Sequence, residues 1–281
     1  MRILIDLQAC QAENKNRGIG RYAMSLVEEM CANNRGHEIL ISLNGGLTDN
    51  ILHIRSRLGK YIPAENFKIW YPSGRSAYIN QGEKWFRQSS ELLHEAFIAN
   101  LKPDVLLISS LFEGLVCDAS TSIGLFSQDL PTAVILYDLI PFIYRKPYLE
   151  NPLVKEWYEE KISFLRKSGL HLAISASSRQ ESIQYLGSDP QKVINISAAV
   201  GPQFRHITFD ENAEGKIRQR YGLVKPYVMY TGGIDHRKNI EGLIRAFSLL
   251  PKEIKEQHQL AIVCSIQDMD RHRLSNLAKE H

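Results

Sequence analysis

The sequence predicts a doubly wound α/β fold, and three observations predict it. Short β-rich apolar runs alternate with stretches of helical periodicity along most of the 281 residues. The runs are apolar throughout instead of alternately polar, which marks strands of a parallel sheet covered on both faces. Glycine-bearing turns join a strand to a helix twice, once near the start of the chain and once late in it.

The elements follow in order. Residues 3–7 read as a first buried strand, and 19–31 as a helix with Ile19, Tyr22, Ala23, Leu26, Val27 and Met30 on one face. Asn33, Asn34 and Gly36 end it. A second strand is expected over 37–43, a helix over 47–58, and a third strand over 67–71 before Pro72. A long helix covers about 80–101, and apolar strands follow over 104–109 and 132–137. Residues 152–168 are helical, with Val154, Trp157, Tyr158, Ile162 and Leu165 on one side. Then come a strand (170–175), a short helix (178–186) and a strand (193–197). The character changes over about 202–225, which reads as a linker carrying one helix at 211–221. A fresh strand begins after Pro226, a helix with Ile240, Leu243, Ile244 and Phe247 in phase follows, and a last strand and helix start near 260 and 270. Residues 1–201 are thus expected to form one domain and 226–281 the start of a second. Two parallel strands alone leave a raw edge and cannot bury both faces, so either this piece docks on the first domain or the rest of a second domain is missing.

Composition narrows the classes. Hydrophobic residues make up 44% and charged residues 23%, as in soluble globular proteins. No apolar run has the roughly 18–20 residues that span a bilayer. The four cysteines form no CxxC pair and no zinc-ligand spacing; they read as free thiols in a reducing cytoplasm. Histidines are scattered without HExxH, so no metal is expected. A net charge of +3, from 34 basic and 31 acidic residues, is too even to imply nucleic acid. It is compatible with an anionic substrate or a peripheral membrane contact. Trp85 and Phe86, beside Lys84 and Arg87, are read as that contact or as a helix face with a local core contact.

Four constellations carry candidate chemistry. Arg17-Gly18-Ile19-Gly20-Arg21-Tyr22 lies between the first strand and its helix, where close backbone approach and a helix N-terminus attract phosphate. A tight turn with a solvated arginine pair is the alternative. Gly232-Gly233 with Arg237-Lys238-Asn239 repeats the arrangement, and adjacent cations at a helix start suit a diphosphate. Its alternative is a glycine turn with exposed cations. Tyr137-Asp138 ends a strand, where open α/β sheets line their ligand crevice. Asp138 is the candidate catalytic carboxylate, or a cap for the turn before Pro141. Glu113, past another strand end, is a candidate for an acceptor hydroxyl or a solvated loop carboxylate. The absence of GxSxG argues against an α/β-hydrolase. The missing third glycine argues against an NAD enzyme.

Together these segments resemble glycosyltransferase family 4, which is retaining and has the GT-B fold. The stretches that carry the resemblance are MRILIDLQ with RGIGRY, YDLIP, LAISASSRQESIQYLG and VMYTGGIDHRKNIEGLIRAFSLL, in that order over nearly the whole chain. Within the family it looks most similar to bacterial mannosyltransferases of O-antigen and polysaccharide assembly. The resemblance implies that residues 1–201 are the acceptor side and that 226–281 open the nucleotide-sugar domain. It puts Gly18, Gly20, Gly232, Gly233, Arg237 and Lys238 at the donor phosphates, with Lys238 on the diphosphate. Arg21, Tyr137 and Glu113 fall on the acceptor side. Tyr137 replaces the histidine of the family's His-Asp pair, and Gly233 stands where an arginine is common. The family's glutamate pair would lie beyond His281, so the 281 residues alone are expected to be inactive or nearly so. The implied partners are a nucleotide-diphosphate sugar as donor substrate and a saccharide or lipid-linked acceptor, with no cofactor. The rivals are a GT-B nucleotide-sugar epimerase and a non-catalytic module that binds a glycan or a partner chain.

Overall fold

A computed structural model of the chain describes residues 1–201, 204–208, 210–264 and 266–281, without the side chains of Glu83 and His236. The elements separate into two compact units, Met1–Pro202 and Gln203–His281.

The first unit runs β1 (Arg2–Asp6), α1 (Gly18–Ala32), β2 (Glu38–Asn44), α2 (Ile51–Leu58), β3 (Phe67–Trp70), α3 (Lys84–Asn100), β4 (Val105–Ile108) and β5 (Thr132–Leu136). It continues through α4 (Ile140–Ile143), α5 (Arg145–Tyr148), α6 (Pro152–Lys167), β6 (Leu170–Ala173), α7 (Ala176–Leu186) and β7 (Val193–Asn195). The seven strands form one sheet in the order β3-β2-β1-β4-β5-β6-β7, and every pairing is parallel.

Strand periodicity explains the two cores. Ile5, Ile39, Ile41, Leu107 and Ile135 point to the face covered by Ala23, Met24 and Val27 of α1 and Ile54 and Leu58 of α2. Their neighbours Leu4, Leu40, Leu106, Ile108, Val134 and Leu136 point to the opposite face, which carries Ile98 of α3 and Ile162 and Leu165 of α6. Successive strand residues face opposite ways, so a strand with a core on each side must be apolar throughout. The chain reverses between β1 and β4, and ligand crevices of open α/β sheets form outside the strand ends at such a reversal.

The second unit contains α8 (Glu211–Tyr221), β8 (Tyr227–Thr231), α9 (Ile240–Ser248), α10 (Lys252–Gln257), β9 (Gln259–Val263) and α11 (Asp268–Glu280). Its parallel strands β8 and β9 support a small core of Ile240, Ile244 and Leu274. Helix α8 begins at the Asp210 cap and ends at Gly222 (φ 66°), a left-handed position that favours glycine. Gln259 ties the end of α8 to the sheet by donating to the Gly222 carbonyl (3.0 Å) and accepting from Lys225 N (2.9 Å).

The short helices α4, α5 and α10 were not expected from periodicity, because four to six residues are too few to show it. Among the described residues no helix is long and apolar enough to cross a membrane.

Candidate functional site

The turn after β1 is set on a buried polar floor. Asp6 ends the strand with its carboxylate buried, accepting from Gln8 N (3.2 Å) and Gln8 Nε2 (3.1 Å). Gln8 Nε2 also donates to the Ser120 carbonyl (2.8 Å), and Gln8 Oε1 accepts from Ser120 N (3.0 Å) and Asn44 Nδ2 (3.0 Å). Gln11 completes the set with an amide that accepts from Asn44 N and donates to the Asn44 carbonyl (both 2.9 Å). One glutamine therefore joins the ends of β1 and β2 to the loop beyond β4. Such amides are tolerated in a core because their donors and acceptors are satisfied. Burial raises the Asp6 carboxyl to about 7, against the Gln8 hydrogen bonds that lower it.

The two glycines of the first motif differ. A Cβ at Gly20 would lie 2.5 Å from the Asn14 and Lys15 carbonyl oxygens, so the two short 3-10 turns before α1 close only over a bare backbone. At Gly18 a Cβ would meet nothing within 4 Å. Arg17 is the N-cap residue of α1 but makes no side-chain capping bond, and both Arg17 and Arg21 are exposed.

Three acceptor-side candidates gather around this first turn. Tyr137, just past β5, is within hydrogen-bond distance of the Ile19 (3.3 Å) and Ser109 (3.1 Å) carbonyls through its hydroxyl. The Tyr22 ring packs edge-on against it at 5.8 Å. Burial pushes the Tyr137 phenol far above its usual range. Glu113, only 3% exposed, accepts from Asn14 Nδ2 on both oxygens (3.1 and 3.2 Å). Burial lifts its carboxyl to about 7, while the Asn14 and Ser110 hydrogen bonds pull the other way. Arg21 is carried on α1 itself. Asp138 is exposed, and its Oδ1 accepts from Ile140 N (3.0 Å), so one oxygen caps the turn into α4. Glu181 of α7 accepts from the next amide, Leu139 N (3.0 Å).

Sequence reasoning did not single out Asp6, Gln8, Asn14, Asn44 or Glu181. All follow strand ends or lie on helices facing them, and their residue types are common in loops. Only the sheet order, which the sequence does not print, shows that they converge.

In the second unit β8 leads into Gly232-Gly233, and the Tyr230 hydroxyl donates to the Gly233 carbonyl (2.6 Å). Arg237 donates through N (3.0 Å) and Nε (2.7 Å) to Asp235 Oδ1, and Lys238 on the same 3-10 turn is exposed. Asn239 takes a left-handed conformation (φ 48°) and caps α9 by accepting from Gly242 N (3.2 Å). The loop thus presents one arginine already bound to a carboxylate and one exposed lysine. Among the described residues no group of three His, Cys, Asp or Glu side chains could hold a metal ion.

No family model matches the chain. Among solved structures it is similar to Anabaena HepE in complex with UDP-glucose (TM-score 0.59, 12% identity, covering 100% of this chain and 66% of that one). It is also similar to WaaG, a glycosyltransferase involved in lipopolysaccharide biosynthesis (TM-score 0.56, 12% identity, 100% and 67%). A UDP-GlcNAc 2-epimerase from Neisseria meningitidis shares the fold at TM-score 0.51 and 10% identity, covering 100% of this chain and 70% of that one. Among curated proteins it is 30% identical over its whole length to a serotype-specific mannosyltransferase, WbdA, of Escherichia coli. A second WbdA of that species matches 87% of the chain at 28% identity. The chain spans about a third of the length of these relatives, 34% and 30%. The chain shares the α/β GT-B fold of these solved structures. The curated proteins it resembles in sequence are these serotype-specific mannosyltransferases.

Proposed function

We propose that the protein transfers mannose, with retention as in glycosyltransferase family 4, from a nucleotide-diphosphate sugar to a saccharide or lipid-linked acceptor in cell-surface polysaccharide synthesis. The observation that carries this reading is the 30% identity to a mannosyltransferase over the whole chain. Residues 1–201 are assigned to the acceptor side, 202–225 to a linker, and 226–281 to the nucleotide-sugar side.

The physical demand is the charge that develops on the departing nucleoside diphosphate, which preorganised cations and helix N-termini stabilise. Lys238 meets that demand as an exposed cation beside the α9 N-terminus. Arg237 adds a guanidinium whose position Asp235 fixes, with Gly232 and Gly233 allowing close approach of the backbone. Gly18 and Gly20 open the first turn of α1 to donor phosphate and acceptor. Arg21, Tyr137 and Glu113 shape the acceptor side, and the free oxygen of Asp138 takes a sugar hydroxyl.

The test is transfer by the full gene product from nucleotide-diphosphate mannose to a mannose-containing oligosaccharide, with the product anomer read by NMR. The expected product keeps the donor's anomeric configuration. Isomerised donor in the absence of acceptor would make the protein an epimerase. Glycan binding without nucleotide binding in calorimetry would make it a non-catalytic module.

A further inference from the structure

Helix α3 packs the wrong way round for a surface helix. Its inward face is mostly polar: Arg87, Glu91, His94 and Glu95 are each no more than 8% exposed, with Ile98 in the core beyond them. Its outward face carries large apolar side chains beside Gln88: Trp85, Leu92 and Leu93 are 59%, 44% and 48% exposed. A helix that covers a sheet normally turns its apolar stripe inward.

The inward charges of Arg87, Glu91 and Glu95 are each engaged. Arg87 pairs with Glu160 (2.8 Å) and lies over the Tyr78 ring (4.0 Å). Glu91 lies 3.7 Å from buried Lys161. Glu95 accepts from Ser122 Oγ (2.6 Å) and from the backbone amides of Leu125 and Phe126 (both 2.7 Å). These bonds fix the rotation of the helix, so the outward leucines have no alternative buried position. They also hold the 122–126 loop beside α3 through Glu95, where Leu125 and Phe126 are 43% and 55% exposed.

We infer that this face is a docking surface for an anionic lipid bilayer. Trp85 and the leucines provide the combination that settles at a membrane interface. Exposed cations flank them: Lys84 opens the helix, Lys102 follows its end, and Lys167 reaches the neighbourhood of Gly124 beside Leu125. Both glutamates of the helix, Glu91 and Glu95, are turned inward. A flank of lysines around an apolar face complements phosphate headgroups, whereas a second copy of the same face would set those lysines against one another.

The inference concerns the surface of the first unit and stands whether or not the chain transfers mannose. Its test is flotation of the protein with vesicles of phosphatidylglycerol and phosphatidylethanolamine, against vesicles of phosphatidylcholine. The expected result is salt-sensitive binding to the anionic vesicles only. Leu92→Ser/Leu93→Ser should lower the partition roughly ten- to hundredfold, since about half of each leucine remains to be buried. Trp85 emission in the unmodified protein should shift to the blue and lose quenching by iodide on binding, which needs no variant to fold. Absence of binding, equal binding to both lipid types, or unchanged partition of a folded double variant would each overturn the inference. A wild-type dimer that the double variant dissolves would assign the face to a second copy instead.

Discussion

Gly20 and Gly18 sit two residues apart in one turn, and the structure predicts opposite consequences for the same substitution. In Gly20→Ala the new Cβ would sit 2.5 Å from two backbone carbonyl oxygens and 2.6 Å from Lys15 Cα. Backbone cannot swing aside as a side-chain tip does, so the 3-10 turn before α1 must move. Overpacking of this kind costs about 1–3 kcal/mol. Alanine's higher helix propensity returns about 1 kcal/mol of it. With three backbone atoms this close the cost lies in the upper part of that range, about 2–3 kcal/mol, so the net loss is about 1–2 kcal/mol, which for a domain of roughly this size lowers Tm by about 2–8 °C. In Gly18→Ala the Cβ enters open space, and the lost freedom of the unfolded chain stabilises by about 0.4–1 kcal/mol. All three tryptophans, Trp70, Trp85 and Trp157, lie in the first unit, so their fluorescence during urea unfolding reports on it alone. A Gly20→Ala protein as stable as wild type, or a Gly18→Ala protein as damaged as Gly20→Ala, would refute the steric argument.

Further outcomes follow from other residues. Lys238→Ala should lower mannose transfer by the full gene product about 10²–10³-fold with donor binding tested in parallel; unchanged turnover removes Lys238 from the donor site. Glu113 is raised to about 7 in the fold and returns to an ordinary carboxyl value on unfolding. Between about pH 4.5 and 7 the unfolded state therefore gives up its proton first, so this group's contribution to stability is greatest at low pH and is lost as pH rises through that window. Glu113→Gln should flatten the pH dependence of the urea midpoint there and be more stable than wild type at pH 8, by on the order of a few kcal/mol; superimposable wild-type and variant profiles would count against it. Lys161, buried and with its ammonium pKa lowered by desolvation, donates to Thr121 Oγ1 (3.0 Å) and to the Thr121 carbonyl. Lys161→Met should cost about 3–5 kcal/mol by stranding Glu91, and Glu91→Leu in the same chain should restore much of it; additive losses in the double-mutant cycle would show that the two do not communicate.

The sheet was legible because its strands are apolar on both faces. Helices with caps and glycine stops were legible as well, and the helix expected over 211–221 is α8, from the Asp210 cap to Gly222. The glycine turns could be placed after strands, but which glycine the backbone needs could not. That depends on where Asn14 and Lys15 fold back, and the spacing Gly18-Ile19-Gly20 is silent on it. Arg237 and Lys238 read as equal cations, whereas the fold binds Arg237 to Asp235, two residues earlier. Asp138 kept both of its sequence readings, since one oxygen caps the turn and the side chain is still exposed. The convergence of Gln8, Asn44 and Ser120 was invisible because it depends on strand order, which a linear pattern does not encode.

Helix α3 shows a different kind of illegibility. Periodicity located it correctly but could not orient it, because amphipathic reasoning assumes that the apolar side is the buried side. Here the alternative is stabilised by partners distant in sequence: Glu160 and Lys161 on α6, and the amides of Leu125 and Phe126. A charged face enters a core only if each charge meets an opposite charge or several donors, because an unpaired buried charge costs more than several leucines recover. Trp85 follows from the same orientation. The sequence left it between a core contact and a membrane contact, and the pairing of Arg87 with Glu160 turns Arg87 inward and leaves Trp85 outside. Breaking that pairing should therefore act on the outer face as well as on stability. In Glu160→Ala the helix loses one of the bonds that fix its rotation, and vesicle binding should weaken along with the fold's resistance to urea, whereas a surface set by Trp85 alone would keep its binding unchanged.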